Sequence, residues 1–325
     1  MPIKRRGLLA ATMGGSLATP AFLHAQGNWP GERPIQIIVP FPPGGGTDIN
    51  IRAMVSHFER HLPSARFVVV NRGGAGGEIG YTAMSQAAPD GLTIGTVITP
   101  SLQTITIERQ PRYALTDFAY LGSIVEDPGG FHVAPNGPIR SLADLVTQAK
   151  AQPGAITVGT AGIGSDDHLL MLALERAAGV SLNHVPFAGQ APTVTALIGG
   201  HIHVASMNMG ESVALIREGR VRAVAAAGGA RFAMTPEVPT FREAGYAIDT
   251  GVVRSLVTPA ATPEPIRRRM EAMVEAVMRD PAWIAEADRL FVPLRYRGSA
   301  ETRDLVLREA EALRDVWQQR PWRDS

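Results

Sequence analysis

In the stretch IIVPFPPGGGTDINIRAM, residues 37 to 54, two prolines, three glycines, a threonine and an aspartate lie between a short apolar run and a helical pattern. Glycine amides have no side chain around them, so a ligand can approach the backbone there. A helix N-terminus adds the positive end of its dipole, and together they make a cradle for an anion such as a carboxylate. Thr47 or Asp48 can cap the helix, and Thr47 can also offer its hydroxyl to a ligand. Asp48 can instead act as a gate that repels the wrong anion. The same form recurs in FVVVNRGGAGGEIGYTAM (67 to 84), with glycines at 73, 74, 76, 77 and 80, and in ITVGTAGIGSDDHLLMLAL (156 to 174), with Gly159, Gly162, Gly164 and Ser165 before a helix. A small acid held between two lobes would use such a set of loops.

Enzymatic alternatives fail on residue type and spacing. Gly74, Gly76 and Gly80 follow a strand as a dinucleotide fingerprint would, but no Tyr-x-x-x-Lys comes after them. The first loop lacks the Gly-Lys of a P-loop, and Ser165 lacks the closing glycine of a nucleophile elbow. With no cysteine, thiolate nucleophiles, disulfides and cysteine-held metals are excluded. His57 and His61 have helical spacing and are expected on a solvated face, while His201 and His203 share one face near a strand start. Neither pair has a carboxylate or third histidine at ligand spacing, so neither a metal nor a cofactor is expected.

These loops need a scaffold of alternating strands and helices. Strands are predicted at 35–39, 67–70, 93–98, 155–158, 202–207 and 221–226, and helices at 141–149 and 167–178. Ile266, Met270, Val274, Val277 and Met278 have the spacing of one buried helical stripe. Ser141 and Asp144 form a capping box with Asp in place of Glu, and Pro153-Gly154 stops that helix. Strands separated by helices imply an α/β fold with parallel sheets and right-handed crossovers. Two such series, before about residue 125 and from 126 to 249, precede a helix-rich tail, so residues 26–125 and 250–325 are expected to form one lobe and 126–249 the other.

Composition and charge agree with a small-molecule role. The 325 residues carry a net charge of +1 and are 45% apolar, which suits well-filled cores and gives no strong attraction to nucleic acid or anionic lipid. Lys4 and Lys150 are the only lysines among 31 basic residues. Residues 1–25 combine a basic start (Lys4, Arg5, Arg6), an apolar stretch from Leu8 to Ala18 and a cleavage site after Ala25. This pattern is an export signal, either of Sec type or resembling a twin-arginine signal. It places the remaining chain in the periplasm.

Over nearly all of that remaining chain the sequence resembles the Bug-type extracytoplasmic solute receptors, the periplasmic binding proteins of tripartite tricarboxylate transporters. The resemblance runs through IIVPFPPGGGTD and Arg52, VVVNRGGAGGEIG, AAPDGLTIG, GTAGIGSDDHL, VPFAGQAPTVTALIGGHI, GRVRAVAAAG, PEVPTFREAGY and TPAATPEPI. It implies a two-lobed type II periplasmic binding protein, monomeric and not an enzyme, with a ligand cleft between the lobes. The implied ligand is a small organic carboxylate on loop amides, hydroxyls and ordered waters, and the implied partners are the membrane subunits of a tripartite transporter. An orphan sensor presenting its ligand to a signalling partner is the alternative. A hydrolase or isomerase using Asp48, Asp167 or His168 as acid or base would require turnover of the solute.

Gly45, Gly46 and Thr47, with Ala75 and Gly76 beside them, are expected to surround the ligand from one lobe, and Gly162, Ser165 and His168 from the other. Asp48, Asn208 and Arg254 are further candidates. The chain departs from the family's Pro-Tyr-Lys-Gly at Pro186-Phe187-Ala188-Gly189, and has Met207 and Asn208 where members often carry an Asp and a Ser. Val253-Arg254 replaces a common aromatic pair. Arg254 is therefore either a partner for a second carboxylate or a surface residue with its stem over apolar neighbours.

Overall fold

The β-branched runs form strands and the amphipathic stretches between them form helices in a computed structural model describing residues 29–319 and 321–322. The export signal predicted for 1–25 lies outside these residues. The chain begins with β1 (Ile35–Val39), α1 (Gly46–His61), β2 (Phe67–Asn71), α2 (Glu78–Ser85), β3 (Thr93–Thr99) and α3 (Ser101–Glu108). A long strand, β4 (Phe118–Val133), leads to α4 (Leu142–Ala151), β5 (Thr157–Thr160), α5 (Asp166–Ala178), β6 (Asn183–Pro186), α6 (Gln190–Ile198), β7 (Val204–Asn208), α7 (Met209–Arg217) and β8 (Arg222–Ala226). The return strand β9 (Gly251–Pro259) is followed by α8 (Glu264–Met278), α9 (Pro281–Arg289), β10 (Leu294–Arg297) and α10 (Ser299–Gln319).

The strands do not form two purely parallel sheets. β2, β1 and β3 are parallel, but β9 runs antiparallel between β3 and β4. β5 is parallel to β6 and β7, whereas β7 and β8 pair antiparallel with β4. β4 serves both halves: Phe118 to Pro128 pair with β9, and Gly129 to Val133 pair with β7. Its run is interrupted by Glu126-Asp127-Pro128-Gly129-Gly130, which hides it from pattern reading. β6 and β10 have four residues each, too few for a clear alternation.

Each half has its own apolar core. In the first, Ile35, Ile37 and Val39 of β1 pack with Ile51, Met54 and Phe58 of α1, and Ile266, Met270, Val274, Val277 and Met278 of α8 close the layer as one stripe. In the second, Phe131 and Val133 pack with Leu142 and Leu145 of α4 and Leu170 and Leu174 of α5. Ser141 caps α4 by accepting the Asp144 amide at 3.1 Å, while Asp144 accepts the Arg140 amide instead of that of Ser141. His57 is not solvated: it is buried, with Nε2 at 2.9 Å from Glu286 and its ring 5.4 Å from that of Trp283. His203 stays exposed at the start of β7, its Nδ1 accepting the Thr157 amide at 3.1 Å.

Candidate functional site

Three strand-to-helix junctions face one another across the space between the two halves. At β1–α1 the helix starts at Gly46 without a side-chain cap on Gly45. Asp48 is buried and reaches back: Oδ2 accepts the Gly44 amide at 2.9 Å, and Oδ1 accepts Arg52 Nε and Asn71 Nδ2, each at 2.9 Å. Burial works to raise the Asp48 pKa, but these hydrogen bonds outweigh it and hold the carboxyl below its ordinary range. Asp48 thus pins the loop that presents the glycines. Thr47 makes no cap either.

The β2–α2 loop turns through a 3₁₀ segment, Ala75–Gly77, with φ of 50° at Ala75 and 70° at Gly76. Arg109 fixes it by donating to the Ala75 carbonyl at 3.0 Å and to Glu78 at 2.7 Å. At β5–α5, Ser165 is the helix N-cap: its hydroxyl accepts the His168 amide at 3.3 Å and donates to the Gly162 carbonyl at 2.8 Å. The two halves touch here, where Thr104 Oγ1 donates to the Gly164 carbonyl at 2.8 Å. Gly164 has φ of 71°, a conformation that favours glycine, and an added Cβ would lie 2.5 Å from Glu108 Oε1 and 3.0 Å from Thr104 Oγ1.

The cleft between these junctions has a volume of about 100 Å³, enough for a small solute. Gly45, Gly46, Thr47, Asp48, Gly76, Gly162, Ser165, Asn208 and Arg254 line it. Two expected residues do not. Ala75 faces an adjoining, wider cavity that shares Gly76 and Gly162 with the cleft. His168 is buried beneath the loop, its Nδ1 accepting the Gly164 amide at 3.2 Å and its ring stacked 3.8 Å from that of His184. It packs there because it is the third residue of α5, and the first turn directs it inward.

Arg254, on β9, is not a surface residue. It is 3% exposed, pairs with Glu211 through Nη2, and holds Nη1 3.9 Å from Asp127. Asp127 accepts the Gly210 amide at 2.8 Å. Burial, offset in part by Arg254, pushes its carboxyl up to about 7. Asn208 donates to Asp166 at 2.6 Å. Burial raises Asp166 to about 6 even against that bond, and burial with the neighbouring Asp166 charge raises Asp167 as well.

Sequence reasoning missed Asp127, Asp166 and Glu211. The signal for Glu211 was present, because Asn208-Met209-Gly210-Glu211 forms a further strand-to-helix junction with an acid in the first turn. Among the described residues no cluster of three metal-ligating side chains occurs, and no helix is long and apolar enough to cross a membrane.

The sequence matches the tripartite tricarboxylate transporter family receptor over residues 52–301. It is 31% identical over 286 residues to the UPF0065 protein in the gbd 5' region of Cupriavidus necator, covering 86% of this chain and 84% of that protein. It is 34% identical over 225 residues to protein BugT of Bordetella pertussis, covering 66% of each. MatC from Rhodopseudomonas palustris, solved with bound malate, superposes with a TM-score of 0.81 at 27% identity, covering 88% of this chain and 99% of MatC.

Proposed function

The chain belongs to the tripartite tricarboxylate transporter receptor family, and from that premise we propose that it is an exported periplasmic receptor for a small carboxylated organic solute. The observation that carries this reading is the cleft between the halves, into which glycine-rich junctions from both sides bring open backbone and the N-termini of α1 and α5. Such a site suits one small carboxylate and has no room for a polymer. Malate in MatC is a ligand of that class.

In this reading the lobes comprise 26–125 with 250–325, and 126–249, hinged through β4 and β9. The ligand favours the closed form by touching both lobes at once, and the closed form is what the membrane subunits of the transporter recognise. The receptor acts as a monomer and releases its solute unchanged. Gly45, Gly46, Thr47, Gly76, Gly162 and Asn208 would touch the ligand, with Asp48 and Ser165 shaping the loops that present them.

A thermal-shift screen of mono-, di- and tricarboxylates tests the reading. Ligand at 100 times its dissociation constant adds about 2.7 kcal/mol of stability, which is a readily measured rise in Tm. No shift with any carboxylate would refute it, and recovery of a chemically altered solute would refute the receptor role.

A further inference from the structure

A second cavity, of about 320 Å³, adjoins the cleft beside Glu211. Gly45, Gly46, Gln190, Ala191, Glu211 and Arg254 line both spaces. The two glycines bring no side chain to the boundary, so on the α1 side it depends on what reaches across from the other half. Glu211 of α7 does so: a Cβ added at Gly46 would stand 2.7 Å from its Cδ and 3.0 Å from its Cγ, which puts the end of the side chain on the bare backbone of α1. Arg254 holds it there through Nη2.

The second cavity differs in character from the cleft. Ile49 of α1, Val194 of α6, Ala214 of α7, and Leu290 and Phe291 after α9 give it a largely apolar lining drawn from both halves. Contacts fix that lining in place. The Arg217 guanidinium lies 4.6 Å over the Phe291 ring, and the Glu126 amide donates to the Pro293 carbonyl at 3.2 Å. An aliphatic chain entering this space would exchange water for apolar surface, and in such a pocket one methylene changes affinity by on the order of tenfold.

We propose that Glu211 sets the length of the solute: its carboxyl, held between Gly46 and Arg254, divides the cleft from the apolar cavity, and a smaller residue there would join the two into one longer site. This deepens the carboxylate-receptor reading and rests on it. The division is made by the atoms of the side chain and not by its charge. Glutamine fills nearly the same space and still accepts from Arg254, whereas alanine removes the atoms that meet Gly46. Loss of Glu211 leaves Arg254 its other acid, since Nη1 is 3.9 Å from Asp127, whose Oδ2 accepts no hydrogen bond among the described residues. That remaining pair keeps the buried guanidinium compensated and out of the opened passage.

The experiment is calorimetric titration of the full chain and its variants with two series of increasing length, butyrate, hexanoate and octanoate, and succinate, adipate and suberate, together with a crystal structure of Glu211→Ala. In Glu211→Ala the longest acid of a series should gain on the shortest by on the order of tenfold or more relative to the wild type, and the crystal structure should show the two cavities joined. Glu211→Gln should keep the wild-type order of lengths. Where Glu211→Ala fails to fold, Glu211→Asp takes its place in both measurements, because it keeps the charge and withdraws it from Gly46. An unchanged order of lengths in the folded variant overturns the inference and leaves the carboxylate reading intact. An equal shift in Glu211→Gln also overturns it, by tracing the effect to charge. If no acid binds any form of the chain, the carboxylate reading fails, and the crystal structure decides the inference alone: cavities still divided without the Glu211 side chain overturn it.

Discussion

A methyl group at residue 46 would sit 2.1 Å from Glu211 Oε1, so the glycine there makes room for a side chain from the opposite half of the molecule. Because Glu211 is held by Arg254, it cannot swing away without giving up a buried charged partner. Gly46→Ala should therefore move Glu211 and weaken ligand binding by about tenfold or more, with a much smaller change in unfolding midpoint. Calorimetry on the folded variant with any ligand found by the screen checks this, and unchanged affinity would remove Gly46 and Glu211 from the site. Asp48 illustrates the other kind of loop residue. Its oxygens are committed to Gly44, Asn71 and Arg52, so it acts on a ligand through the loop's shape.

Among the elements, α8 closes the core of the half that carries the first two glycine loops. Its apolar residues recur at helical spacing, and Met270, Val274 and Val277 are fully buried against β1, α1 and β4. Met270→Ala should cost about 2–5 kcal/mol, the range for truncating a buried long side chain whose cavity cannot collapse. Denaturant unfolding measures this, and a loss below about 1 kcal/mol would show that the α8 layer repacks freely. The ligand preference should not change, since α8 does not line the cleft. At α5 the same helix serves two purposes: Ser165 caps it, and its first turn brings Asp166 to the cleft while burying His168.

At the scale of the whole molecule, pH acts through charge buried where the halves meet. Asp127 has its carboxyl raised from 3.8 to about 7, first by burial, against the pull of Arg254 and the Gly210 amide. Between those values the folded chain keeps a proton that the unfolded chain has released, so this group's contribution to stability is complete below pH ~4 and is lost as pH rises through ~7. Asp166, raised to about 6, acts with the same sign over a narrower window. His132, buried and lowered from 6.5 to about 4, acts with the opposite sign, its neutral form favouring the fold as pH rises between those values. Asp127→Asn isolates one contribution: the Tm of the wild type relative to the variant should fall as pH goes from 5 to 8. Parallel Tm curves across that range would show that Asp127 stays charged or finds a partner throughout.

Much of the architecture was legible because it rests on local periodicity. The stripe from Ile266 to Met278, the Ser141 cap, the three glycine junctions and the family motifs all depend on residues close together in the chain, where spacing translates directly into a shared face or a turn. The mixed sheet was not legible. β4 and β9 are long-range partners whose antiparallel register is set by pairing across more than a hundred residues, and β4 carries Asp127 and Pro128 through its middle. Local signals also could not show that Arg254 would be buried and already paired, that His168 would turn beneath its loop, or that Glu211 would reach Gly46. Those contacts exist only once the two halves pack, because a side chain's burial and charge partners depend on distant chain segments. The sequence alone determined which loops could hold an anion; the tertiary structure decided which of the chain's own charges already stand in that cleft.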